Sequence, residues 1–181
     1  MITVYLDNNV WDYLFANDID LSLELPEPEF SICITREGEI EILTMPDEKR
    51  DFTNRTIVER NISVDTYFGF AEANFGIGDQ RVAGFNQGRF ASPEEIEFSD
   101  DQKSRIRLTN RPRQRLLKNE GDVALAARSM RWVVLTNEGP LKSGPLKTAR
   151  ERGGKVVFLS ELLGSSRSWA DYIKSAVFKN N

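Results

Sequence analysis

Short apolar runs alternate with amphipathic stretches along the whole chain. Apolar runs rich in β-branched residues predict buried strands, and they occur at residues 2–6, 30–34, 132–136 and 155–159. Apolar positions spaced three and four apart predict helices after residue 7, over 46–60, after 92, within 113–131, and over 145–152 and 169–178. Strands that alternate with helices are typical of a parallel sheet covered on both faces. We therefore expect a three-layer α/β/α fold with a central, mostly parallel sheet.

Two stretches do not give one clear prediction. Residues 37–45 alternate like a strand, yet their apolar positions could equally line a helix. Residues 61–90 are rich in glycine and aromatic residues, and we expect a hairpin or loops there that cover one face. The prediction is one domain over residues 1–181, in which residues 61–112 are an elaboration.

The composition describes an ordinary globular chain. Its 181 residues suit one domain, and 40% of them are hydrophobic. Cys33 is the only cysteine, so an internal disulfide is impossible and a disulfide scaffold is excluded. The first six residues carry no basic residue and Asp7 interrupts their apolar run, which argues against a signal peptide. No stretch approaches the roughly 20 apolar residues of a membrane span, so we expect a cytoplasmic protein.

Histidine is absent, and its absence excludes several kinds of site. Ser-His-Asp and Cys-His nucleophilic sites, HExxH zinc sites and histidine general bases all need it. With one cysteine, an ordinary structural zinc site is excluded as well. The remaining options are carboxylates, lysines, tyrosines, hydroxyl groups, and a hard metal ion held by oxygen ligands.

The charges are unevenly distributed. The net charge is −4, which implies no overall electrostatic affinity for nucleic acid. Between residues 102 and 119, however, seven basic residues occur without an acidic one: Lys103, Arg105, Arg107, Arg111, Arg113, Arg115 and Lys118. This basic run could bind phosphates or could be the solvated face of a helix.

Acidic residues follow the ends of two predicted strands. Asp7 comes directly after the first strand, and Glu138 follows the strand at 132–136. Asp122 begins the helix before that second strand. Sites in such folds form outside the carboxyl ends of parallel strands, so these acids could meet and share a hard cation. Each also has a simpler explanation: Asp7 as a turn former, Asp122 as a helix-start acid, Glu138 as a solvated loop acid.

The segment Val4-Tyr5-Leu6-Asp7-Asn8-Asn9-Val10 resembles the opening of PIN-domain nucleases, the family of the VapC-like ribonucleases. Three later segments resemble that family's acid-bearing helix, its strand before the last acid and its final strand. They are Asp122-Val-Ala-Leu-Ala-Ala-Arg128, Trp132-Val-Val-Leu-Thr-Asn-Glu138 and Gly153-Gly-Lys-Val-Val157. The resemblance implies a PIN-like domain that hydrolyses RNA with Mg²⁺ or Mn²⁺ and leaves a 5′-phosphate and a 3′-hydroxyl.

The resemblance also implies a set of metal ligands, namely Asp7, Glu41, Asp122 and Glu138. The second acid is Glu41 or Glu39, with Glu41 preferred because of its spacing to Pro46. Glu138 departs from the family, which commonly has Asp there, and the longer side chain could bind the metal through water.

RNA is the implied substrate, and the basic run is the expected RNA-binding surface. The family also suggests a toxin of a toxin–antitoxin pair, with an antitoxin protein and a second copy of the chain as partners. The alternative function is a catalytically weak PIN-like module that binds RNA or protein. A receiver-like or flavodoxin-like domain would need a partner lysine for Asp7, and none stands in a clear position.

Overall fold

A five-stranded parallel sheet forms the centre of the computed structural model, which describes residues 1–66, 90–107 and 116–178. The strands are β1 (Ile2–Leu6), β2 (Phe30–Thr35), β3 (Ser63–Asp65), β4 (Val133–Thr136) and β5 (Val156–Phe158). Their order across the sheet is β3-β2-β1-β4-β5, and all four pairings are parallel. This order places the carboxyl ends of β1 and β4 side by side.

Nine α-helices connect and cover the strands in the described part of the chain. In the first half they are α1 (Asn8–Asn17), α2 (Leu21–Glu24), α3 (Arg36–Ile42) and α4 (Asp47–Glu59). In the second half they are α5 (Pro93–Gln102), α6 (Glu120–Ser129), α7 (Pro145–Glu151), α8 (Leu159–Leu163) and α9 (Trp169–Phe178). A short 3₁₀ helix, Lys103–Arg105, follows α5.

Each face of the sheet has its own apolar core, because successive side chains of a strand point to opposite faces. In β1, Val4 and Leu6 join the core with α1, α8 and α9, whereas Tyr5 joins the core with α5, α6 and α7. In β4, Leu135 and Val134 divide in the same way. The predicted three-layer α/β/α arrangement is confirmed.

Local sequence signals explain where several helices begin and end. Ser92 and Glu95 form the expected capping box of α5, with Pro93 at its first position. Helix α7 begins at Pro145, and Gly153 follows its end with a positive φ of 89°. The ambiguous segment 37–45 is resolved as a helix over most of its length, because the Thr35 hydroxyl caps α3 by accepting a hydrogen bond from the Gly38 N–H.

Two strands differ from the sequence-based predictions. Strand β3 lies in the stretch predicted to be a hairpin or loops, and it pairs with β2 at the edge of the main sheet. Helix α6 lies within the predicted stretch 113–131 and begins at Glu120, after Asn119, whose backbone is left-handed with φ of 63°. The last predicted strand is shorter, since Leu159 already starts α8. The described residues of segment 61–112 therefore contribute β3 to the sheet and α5 to one of the helix layers.

No helix in the described ranges is both long enough and apolar enough to cross a lipid bilayer.

Candidate functional site

Asp7 lies where β1 ends, directly beside the end of β4. Its backbone N–H donates to the Leu135 carbonyl at 3.0 Å, which extends the β1–β4 pairing by one residue. The side chain is only 7% exposed. Its Oδ2 accepts one hydrogen bond from the Thr136 hydroxyl and one from the Asn9 amide, both at 2.7 Å. A buried carboxyl group is thus held between the two strand ends.

Asn9 connects the turn after β1 with the turn after β4. Its Oδ1 accepts a hydrogen bond from the Asn137 N–H at 2.6 Å. The Thr136 hydroxyl oxygen in turn accepts the Glu138 N–H at 3.1 Å. The orientation of Asp7 and the position of Glu138 therefore depend on one shared set of hydrogen bonds.

Burial raises the pKa of Asp7 to about 7, because the charged form loses its contact with water. The hydrogen bond from Thr136 lowers it, whereas the nearby charges of Asp122 and Glu138 raise it further. These electrostatic effects mean that three carboxyl groups from separate parts of the chain share one region of negative potential.

Asp122 lies in the first turn of α6, where an acid is favoured by the helix dipole. Its carboxylate accepts no hydrogen bond from the described part of the chain and is half-buried. Burial raises its pKa, the charge of Glu138 adds to this, and Lys142 opposes it. Among the described residues, no donor therefore fixes the Asp122 carboxylate, which interacts electrostatically with Glu138.

Glu41, in α3, interacts electrostatically with Asp122. The Asn8 amide donates to Glu41 Oε2 at 2.6 Å and to the Gly38 carbonyl at 3.1 Å. A Cβ added to Gly121 in α6 would lie 3.5 Å from Glu41 Oε1, so α3 and α6 meet at this carboxyl group. Removal of that group from water raises the pKa of Glu41. Glu39 instead forms an ion pair with Arg36.

Glu138 follows β4 in the turn after that strand and forms an ion pair with Lys142. Its side chain is only 11% exposed, whereas that of Lys142 is 63% exposed. We call Asp7, Glu41, Asp122 and Glu138 the acid cluster, and Lys142 is a cation that contacts it.

The acid cluster fits a hard divalent cation in its chemistry, because all four side chains offer carboxylate oxygens. Burial raises the pKa of Asp7, Glu41 and Asp122, the charges of neighbouring acids raise it further, and a bound cation would relieve that repulsion. In the present side-chain arrangement, no three His, Cys, Asp or Glu groups of residues 1–66, 90–107 and 116–178 are placed to hold one ion together. Direct ligation by three of the acids would therefore require side-chain rotation.

The described part of the basic run lies just before the helix that carries Asp122. The backbones of Arg107 and Lys118 pair as an antiparallel bridge, with hydrogen bonds of 2.9 and 3.2 Å. Lys103 and Arg105 belong to the 3₁₀ helix after α5. Arg111, Arg113 and Arg115 are outside the described residues.

Sequence reasoning did not assign a role to Asn8, Asn9 or Lys142. Amides directly after a strand-end acid are well placed to orient it, and this is the signal that the sequence offers for the two asparagines. Lys142 stands four residues after Glu138 in a loop, and its ion pair depends on a turn that the sequence pattern does not predict.

Comparison with models of protein families, with curated proteins and with solved structures gives no match to this chain. A functional assignment therefore rests on the fold and the acid cluster.

Proposed function

We propose that the protein is a metal-dependent endoribonuclease of the PIN-like type. The observation that supports this best is the electrostatic interaction of Asp7, Asp122 and Glu138 at the carboxyl end of a parallel sheet, where Asp7 is buried. Burying like charges together is costly, and a divalent cation is the usual compensation. The absence of histidine agrees with phosphodiester hydrolysis that needs no histidine base.

Asp7, Asp122 and Glu41 would hold the cation, Mg²⁺ or Mn²⁺, with Glu138 beside them. A bound cation activates water and stabilises the charge that develops on the phosphate. The protein's own contribution is to orient the acids. Thr136 and Asn9 fix one oxygen of Asp7, and Asn8 fixes one oxygen of Glu41.

RNA is the proposed substrate, and the basic run supports this choice. Lys118, at its end, lies two residues before α6, the helix that carries Asp122. Lysine and arginine next to an acidic centre would offset the repulsion between the carboxylates and the RNA phosphates.

The test is cleavage of a single-stranded RNA by the purified protein with Mg²⁺ or Mn²⁺. The wild type should cut and leave 5′-phosphate ends, and EDTA should abolish cutting. Asp7→Asn should reduce the rate at least about 100-fold, as expected when a group needed for transition-state stabilisation is lost. Asp12→Asn is the matched control on α1, where the side chain is 63% exposed and pairs with Lys49. Equal cleavage by the Asp7 variant and the wild type would rule out the proposed site.

A role as the toxin of a toxin–antitoxin pair is a narrower form of this proposal. It predicts that expression arrests growth, that Asp7→Asn relieves the arrest, and that a small partner protein blocks it. Growth arrest that persists with Asp7→Asn would contradict the toxin role.

A catalytically weak RNA-binding module is the second candidate, favoured by the Glu138–Lys142 ion pair. That pair partly neutralises the cluster without a metal. This function predicts RNA binding that is unchanged by EDTA and by Asp7→Asn, together with no cleavage at high protein concentration.

A further inference from the structure

Lys142 supplies a positive charge at the acid cluster. Its ammonium group pairs with Glu138, and the charges of Glu138, Asp122 and Asp7 all act on it. Within residues 1–66, 90–107 and 116–178, no other lysine or arginine forms an ion pair with a member of the cluster. Among the described residues, Lys142 is therefore the cation that partly neutralises the negative charge of the acid cluster.

The loop after β4 places the Lys142 ammonium group beside the Glu138 carboxylate. The Lys142 N–H donates to the Gly139 carbonyl at 2.9 Å, which closes a turn and brings the side chain back over Glu138. The Glu138 carboxyl is largely buried, but the Lys142 side chain is mostly in solvent. The ammonium group can therefore leave Glu138 without unfolding the loop.

A divalent cation at Glu138 and an ammonium ion on the same carboxylate would repel each other. Both are positive, and the cluster lies in a partly buried region where charges are weakly screened. Binding of a metal through Glu138 thus requires Lys142 to move away.

We propose that Lys142 is a built-in counter-ion that competes with the divalent cation for Glu138 and thereby weakens metal binding at the acid cluster. The proposal rests on the metal-dependent function proposed above. It makes Lys142 a positioning residue: it acts on Glu138 and on the metal rather than on the RNA.

Calorimetric titration with Mn²⁺ tests the competition without any activity measurement. Lys142→Met removes the charge and keeps a similar length, and it should lower the Kd for Mn²⁺ about fivefold, the scale of one weak ion pair. Lys142→Arg keeps the charge and should leave the Kd within about twofold of the wild type. Lys147→Met is the matched control, because Lys147 forms a similar i,i+4 pair with Glu151 away from the cluster.

The outcomes separate this proposal from the proposed function. Equal or weaker Mn²⁺ binding by Lys142→Met, with clear binding by the wild type, overturns the competition and leaves the metal site intact. Absence of Mn²⁺ binding in every variant overturns both.

A second measurement, made in EDTA, remains informative if a variant is unstable. Lys142→Met should lower the Tm more than Lys147→Met, because it leaves the acids uncompensated. This loss should disappear when Glu138→Gln is already present, since the partner charge is then gone. An equal loss of Tm with and without Glu138→Gln overturns the counter-ion role.

Discussion

At the scale of single residues, the ionised side chain of Asp7 destabilises the fold, because it is buried near other acids. The carboxyl group is buried near two other acids, and among the described residues only Thr136 and Asn9 donate side-chain hydrogen bonds to it. The protein would be more stable with a neutral group at this position. Buried ionisable groups with shifted pKa values are enriched at sites that bind a ligand or react.

Asp7→Asn should raise the free energy of unfolding of the metal-free protein, and this increase should become larger as the pH rises. The folded-state pKa of about 7 lies above the ordinary value of 3.8, so the folded state binds more protons between these values. The wild type's free energy of unfolding therefore falls as the pH rises from about 4 to 7. The shift corresponds to at most about 4 kcal/mol, and asparagine removes this dependence.

Thermal unfolding in EDTA at a series of pH values measures this effect. The difference in Tm between Asp7→Asn and the wild type should widen up to about pH 7 and then level off. Asp12→Asn, which changes an exposed acid of the same helix, should show no such widening. A constant difference for Asp7→Asn would mean that burial does not raise the Asp7 pKa.

At the scale of elements, Gly154 lies in the connection from α7 to β5 and is the most tightly packed of the described glycines. A Cβ on Gly154 would lie 2.6 Å from Ser129 Oγ and 2.8 Å from the Ala149 carbonyl oxygen. The Gly154 N–H donates to that same carbonyl, and the Lys155 N–H donates to the Ser129 carbonyl. Glycine at this position lets β5 lie against the ends of α6 and α7.

Gly154→Ala should therefore lower the free energy of unfolding by about 1–3 kcal/mol, since the backbone must shift to make room. Gly144→Ala is the control, because nothing lies within 4 Å of a Cβ at that position. It should change the value by no more than about 0.5 kcal/mol. Urea unfolding of both variants measures the difference, and equal losses would contradict the close packing at Gly154.

The individual elements also show how much of the fold and of the candidate site could be predicted from the sequence. Strands β1, β2, β4 and β5 are apolar runs, so periodicity predicts them. Strand β3 was missed because Ser63–Asp65 is short and polar, and it is a strand only through its pairing with β2. The choice between Glu41 and Glu39 needs the direction of α3, because residues two apart point to different faces of a helix.

At the scale of the whole molecule, Arg128 joins elements that are distant in sequence. It is fully buried in α6, and its Nε donates to Asp65 Oδ2 of β3 at 2.7 Å. Its Nη2 donates to the Thr66 carbonyl at 2.7 Å, and the Tyr5 hydroxyl of β1 also donates to Asp65. This network ties α6, and with it Asp122, to the sheet.

Arg128→Met should reduce the free energy of unfolding by about 3–5 kcal/mol, because it leaves the Asp65 carboxylate without its buried partner. Adding Asp65→Asn should restore part of the loss, since the carboxylate charge that Arg128 offsets is then removed. Arg131→Met, at an exposed arginine that lies over the Trp132 ring, is the control. Urea unfolding measures all three, and a loss below about 1 kcal/mol for Arg128→Met would contradict a structural role for the pair.

The hydrogen bond between Thr136 and Asp7 spans 129 positions of the chain. During synthesis, Asp7 emerges from the ribosome long before Thr136, Glu138 and Lys142 are made. For a chain proposed to cut RNA, this delay has a practical consequence. The acid cluster is incomplete on any nascent chain that has not passed β4, so the messenger RNA being translated is not exposed to a finished site until most of the domain exists.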